Sequence, residues 1–217
     1  MGGRGASSES RPSAGGSGQD RFSPYGVGDT VPGAGGLKQS IGTKGKPYSI
    51  DNALKNVNPN HSYAYSEYSE NCQRCVVAYE LRRRGYNVTA LPTYQGDTMP
   101  QGNIRGHGND RWQMAFKGAK QIKVGASTPK KTQSNLEAKM RSFGKGSRAV
   151  VRIPGHVFNC ENVNGKIVYV EAQTGKRYTS KNVFANLSSS QTKSVSIIRT
   201  DNLRISDRAR QLVKKAK

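Results

Sequence analysis

The 217 residues carry 35 Lys and Arg against 14 Asp and Glu, a formal net charge of +21, with 33% hydrophobic residues and a mean hydropathy of -0.76. That is enough for one medium domain if part of the chain carries no core. No apolar run reaches the length of a membrane span, and three cysteines are too few, and odd in number, for a disulfide scaffold, which suits a reducing compartment.

The charge is uneven. Up to Asn60 there are seven Lys/Arg and four Asp/Glu; after it, twenty-eight and ten. The excess field belongs to the folded part and draws polyanions or acidic proteins, but no nucleic-acid-binding signature accompanies it. The first fifty residues hold 13 of the 25 glycines, and such a segment cannot offset chain entropy by burial. It reads as a flexible arm over 1–48, followed by a main domain over 49–200 and a basic segment over 201–217. The N-terminus lacks the apolar region of a signal peptide, so a soluble chain without a membrane span is expected, one that leaves by another route if it is exported.

A short helix is expected over 49–57, stopped by Asn58-Pro59. Tyr63, Tyr65 and Tyr68 then alternate with polar residues, as packing at the domain edge or as substrate contacts. Ser66, Glu67, Ser69, Glu70 and Asn71 lead into an apolar 3.6-residue pattern of Cys72, Cys75, Val76 and Tyr79, and Arg82, Arg83 and Arg84 precede Gly85. That is a helix with both ends marked. Two cysteines therefore lie in its first turn, where unpaired N–H groups and the helix dipole favour a thiolate. Three residues apart, Cys72 and Cys75 share a face, so position alone does not choose between them.

A strand over 86–91 closes at Pro92, and 94–108 reads as a loop. Residues 111–116 can begin a helix, 122–124 a weak strand, and 135–143 a helix ended by Gly144. Strands are expected over 148–153, 156–163 and 166–173, the last two joined at Asn164-Gly165, the strongest two-residue hairpin signal. Counting outward, Val163 faces Lys166, Cys160 faces Tyr169, Phe158 faces Glu171 and His156 faces Gln173. By alternation His156, Phe158, Cys160, Tyr169, Glu171 and Gln173 share one face. Residues 195–198 read as the last strand, and Ser206 caps a basic helix running to Lys217, a solvated face or a weak nucleic-acid contact.

A cysteine at a helix start, a later histidine on a strand and a polar or acidic residue on the next strand is what a thiol nucleophile requires. The imidazole takes the thiol proton, and the third group fixes the imidazole. Cys72 or Cys75, His156, and Glu171 or Gln173 supply these roles in that order. Two alternatives use the same residues. The cysteines and His156 can be ordinary core residues, or Cys72, Cys75, His156 and Cys160 can form a Cys3His zinc site, although a CxxC inside a helix is unusual for zinc. No βαβ pattern surrounds the CxxC, which argues against a thioredoxin role.

Asn71-Cys72-x-x-Cys75-Val76-Val77-Ala78, then Arg84-Gly85-Tyr86-x-Val88-x-Ala90-x-Pro92, Gly155-His156-Val157-Phe158-Asn159 and Val170-Glu171-Ala172-Gln173-Thr174-Gly175 resemble the papain-fold toxin domains of the glutamine-deamidase type. Val57-Asn58-Pro59 matches the entrance of such domains, and the likeness spans 57–176. The opening Met-Gly-Gly-Arg-Gly-Ala-Ser-Ser and the basic surround also resemble phage and prophage products in which such domains accompany minor head proteins.

The resemblance implies an α+β, papain-like fold in which a nucleophile helix packs on a small antiparallel sheet. It implies Cys72 as nucleophile, with Cys75 as the alternative that papain's own Cys-x-x-Cys suggests. His156 would be the base, Glu171 and Gln173 would stand at the third element, where aspartate is usual for Glu171, and Asn71 would assist at the oxyanion. It further implies a bacterial or phage toxin or effector that needs no cofactor and acts on a target protein with an accessible glutamine, with an immunity protein as a further partner. Proteolysis and transglutamination share this chemistry.

Overall fold

The structure, a computed structural model, describes residues 36–61, 66–92, 111–178 and 183–216. The expected loop over 94–108, Tyr63 and Tyr65 lie outside the described residues.

The marked helix forms as α4 (Cys72–Arg83), with Asn71 at its N-cap and Arg84 at its C-cap. Gly85 leaves it at φ 103, a left-handed conformation that favours glycine. A second reason for glycine there is the backbone of Gly45, which lies where a Cβ would sit and donates its N–H to the Gly85 carbonyl at 2.9 Å. That contact corrects the expected arm. Its boundary at residue 48 is too late, because α1 (Leu37–Ile41) buries Ile41 in the core shared with α4, and Tyr48 lies under the Arg82 guanidinium, 4.4 Å from the ring centroid. Leu37, Ile41 and Tyr48 are too sparse to show a period, yet each finds the core. α2 (Ile50–Lys55) follows, its cap Ser49 accepting from the Asn52 N–H, and then the single turn α3 (Ser66–Ser69).

The α+β expectation is borne out: helices pack on antiparallel sheets. β2 (Ile122–Lys123), β3 (Arg148–Ile153), β4 (His156–Val163), β5 (Lys166–Glu171), β6 (Lys176–Tyr178) and β7 (Ser196–Arg199) make one sheet in the order β2-β7-β3-β4-β5-β6. Every pairing in it is antiparallel. The β4–β5 turn has Asn164 at φ 53 and Gly165 at φ 97, the two positive values of a type I′ hairpin.

α4 covers one face, where Val76 and Tyr79 meet Val150, Val157, Val170 and Ile198. α5 (Pro129–Ser142) begins earlier than expected, at a Thr128 cap, and covers the other with Leu136 and Met140 against Ala149, Val151, Phe158, Cys160 and Ile197. The short α6 (Ser189–Lys193) follows, opened by a capping box between Ser188 and Gln191.

The chain end departs from expectation. Ser206 does cap a turn, but the turn is a 3-10 helix, Asp207–Gln211. After it β8 (Val213–Lys215) pairs antiparallel with β1 (Val88–Ala90). Basic composition suggested a solvated helix; buried Ala209, Leu212 and Val213 instead hold the segment to the core around α4.

Candidate active site

Cys72 starts α4 and is half-buried, whereas Cys75, one turn on, is fully buried. The face they share is graded in depth, so helix geometry that looked symmetric in sequence separates them. The Cys75 thiol donates to Asn71 Oδ1 at 3.1 Å. Burial, then the proximity of Cys72 and Glu171, pushes the Cys75 thiol well above its ordinary range. A thiol so held stays protonated and is a poor nucleophile.

His156 opens β4, just after the Pro154-Gly155 turn, with about a quarter of its side chain exposed (26%). Its Nε2 meets Glu171 Oε2 at 2.6 Å, and the Cys72 side chain lies beside the ring, where it favours the charged imidazolium. Burial alone would lower the His156 pKa, but the contacts with Cys72 and Glu171 outweigh it and raise the value from 6.5 to about 10. Burial would raise Glu171, but His156 and Tyr178 outweigh that and hold its carboxyl below the ordinary value.

These shifts set a pH window. A raised histidine pKa stabilises the fold fully below its unfolded value and ceases to do so as pH rises through about 10. The lowered Glu171 stabilises above its unfolded value and stops as pH falls through its depressed one. Both charges coexist between these limits, so the His156 ring should remain protonated at pH about 8, where a free imidazole is neutral. Ring NMR titration in the native protein checks this; a midpoint near the ordinary histidine value would mean that the carboxylate contact does not form.

The hairpin register is as counted for Val163 with Lys166 and Cys160 with Tyr169. It ends at Asn159 with Val170, so the expected facing of Phe158 with Glu171 and His156 with Gln173 lies beyond the ladder. β5 stops at Glu171, and Gln173 turns its side-chain amide to the Ser69 carbonyl. Gln173 still serves the site through its backbone: its N–H donates to Glu171 Oε1 at 3.0 Å.

Asn71 is buried and its amide is fully spent. Nδ2 donates to Asn58 Oδ1 at 3.2 Å and Leu91 O at 3.1 Å, which leaves no amide hydrogen for an oxyanion. Its Oδ1 accepts from Asn58 Nδ2 at 3.1 Å, and Asn58 Nδ2 is also within reach of the carbonyls of Tyr68 and Gln173. Asn58 and Asn71 thus tie the helix start to the segment that carries Glu171. Arg74 is buried beside the two cysteines; burial lowers its guanidinium pKa to about 10, opposed by the charges of Cys75 and Cys72.

The zinc set does not assemble. Cys75 packs in the core under α4 and Cys160 in the core under α5, with the sheet between them. Among the described residues no group of three or more His, Cys, Asp or Glu is arranged to hold a metal ion. Strand alternation puts Cys160 on the α5 side, and His156 meets Cys72 only because it sits at the strand's end.

Sequence reasoning missed Asn58 as a site residue, Arg74 and Tyr178. The Tyr178 hydroxyl donates to Glu171 Oε2, the same oxygen that meets His156. A strand signal at 176–178 would have placed Tyr178 beside β5; the turn residues Thr174 and Gly175 hid so short a strand. No helix in the described residues is long and apolar enough to cross a membrane.

Residues 70–176 match the family described as papain fold toxin 1, glutamine deamidase. No curated protein and no solved structure matches the chain.

Proposed function

We propose, on the premise that residues 70–176 form a papain-fold toxin domain of the glutamine-deamidase family, that the chain deamidates a glutamine side chain of a target protein. The observation that carries the reading is the contact of one imidazole, His156, with both the Cys72 side chain and Glu171.

The Cys72 thiolate attacks the carboxamide carbon of the glutamine, and the carbonyl oxygen becomes a tetrahedral oxyanion. The start of α4, the positive end of its helix dipole, stabilises that charge. The His156 imidazolium gives its proton to the amide nitrogen, the C–N bond breaks and ammonia leaves, with the acyl group on sulfur as a thioester. Neutral His156 then takes a proton from water, hydroxide adds to the thioester, and glutamate and the thiolate are released. Glu171 keeps the ring aligned and stabilises its charged form. Asn71 supports the helix start rather than the oxyanion, and Gln173 supports Glu171 through its backbone N–H. The net charge of +21 suits a target with an acidic surface.

The test is incubation of the protein with glutamine-rich acidic proteins, reading ammonia release and conversion of glutamine to glutamate by peptide mass. Stoichiometric ammonia with intact peptide bonds is expected. Peptide-bond cleavage would replace the reading with proteolysis, and ammonia release with an added amine joined to the glutamine carbonyl and no glutamate formed would replace it with transglutamination.

A further inference from the structure

Glu171 has one more methylene than the aspartate usual at this position in the family the chain resembles, so its carboxylate has a further torsion to fix before it can hold an imidazole. Three donors fix it. His156 Nε2 and the Tyr178 hydroxyl meet Oε2, and the Gln173 N–H meets Oε1 at 3.0 Å.

The sheet explains how Tyr178 arrives there. In β6, Lys176 pairs with Glu171 and Tyr178 with Tyr169; Glu171 and Tyr178 are therefore diagonal neighbours on one face, within reach of a long side chain. The Tyr178 ring meets Phe158 edge-on at 5.5 Å, and Phe158 stacks against His156 at 6.2 Å. His156, Phe158 and Tyr178 so form a continuous wall around the carboxylate. Tyr178 lies two residues beyond the segment matched by the family, 70–176.

We propose that Tyr178 is a positioning residue of this site, its hydroxyl orienting the Glu171 carboxylate that aligns His156 for Cys72. This deepens the deamidase reading and rests on it. Tyr178 donates one proton to a carboxylate that stays ionised; no covalent step passes through it. A hydrogen bond to a charged acceptor is among the stronger ones, and here it competes with no solvent-exposed alternative, because Glu171 is buried.

The test follows iodoacetamide labelling of Cys72 across pH, by peptide mapping on the full chain, for wild type, Tyr178→Phe, Glu171→Gln and the double variant. Tyr178→Phe keeps the ring on Phe158, so the melting temperature should hold. Cys72 should label roughly 10-fold more slowly near neutral pH. The acid limb of the profile should move to higher pH, because Glu171 has lost a donor that keeps it ionised. In the Glu171→Gln background the same substitution should change the rate by less than about 2-fold, since its partner is gone. A Tyr178→Phe protein with the wild-type rate and profile overturns the proposal, and so does an equal loss in both backgrounds. Because no substrate is needed, the two readings separate: wild-type labelling indifferent to His156→Ala overturns the thiolate–imidazolium site itself, whereas sensitivity to His156→Ala without sensitivity to Tyr178→Phe overturns only the role of Tyr178.

Discussion

Cys72→Ala should abolish ammonia release from a glutamine-bearing target, a loss on the order of 10^4-fold or more by comparison with other nucleophile deletions, while Cys75→Ala should retain most of it. The two cysteines carry the same atoms in the same helical turn, so the asymmetry must come from surroundings. Cys72 is half-buried and lies beside the His156 ring. Cys75 is enclosed, donates to Asn71 Oδ1 and is held in its neutral form by burial. Removing Cys75 trades one sulfur for a small void and frees one acceptor on an asparagine that already has another donor in Asn58. The cost is therefore read in stability, about 1–2 kcal/mol, more than in rate. Ammonia release measured for both variants, with thermal melts alongside, decides it. Equal and complete loss in both would make the pair a unit, and loss confined to Cys75→Ala would move the nucleophile.

The parts of this site that were legible in the sequence are those fixed by local rules. Capping residues and Gly85 bound the nucleophile helix within one residue of its observed end, and Asn164-Gly165 set the β4–β5 register because a two-residue turn leaves one way to pair the strands. Counting failed where the ladder stopped. Nothing local says that β5 ends at Glu171, yet that end turns the Gln173 side chain away and leaves Glu171 to reach His156. Asn58 and Arg82 act across long sequence distances: Asn58 donates to the Gln173 carbonyl and Arg82 to the Ala53 carbonyl. Such contacts exist only once three elements have met, which no periodicity records. The C-terminal strand was hidden for the same reason, since β8 is a strand by virtue of β1.

Among stability changes the largest should follow from Glu80→Ala. Glu80 is fully buried in the second half of α4 and accepts from Arg84 Nε at 2.7 Å and from Arg148 Nε at 2.8 Å. A second carboxylate, Glu161 of β4, accepts from Arg83 at 2.6 and 2.8 Å and from the Tyr79 hydroxyl at 2.6 Å. Two buried acids therefore tie the nucleophile helix to the strands β3 and β4, the latter of which begins with His156.

Deleting Glu80 leaves two largely enclosed guanidinium groups without their counter-charge, a loss of about 3–5 kcal/mol, or roughly 10 °C in melting temperature for a chain of this size. Replacing Glu80 and Arg148 together by leucine and methionine should cost much less, because an apolar pair of similar volume avoids the desolvation that the ion pair must offset. Thermal melts of the single and double variants make the comparison. A Glu80→Ala protein that melts with the wild type would mean that the arginines find water or other acceptors. A double variant as unstable as the single would mean that the helix is held through Arg148's remaining contacts instead. If the clamp acts as its geometry implies, Glu80→Ala should also slow Cys72 labelling below the melting transition, since the thiol and the His156 ring are carried by the two elements it joins.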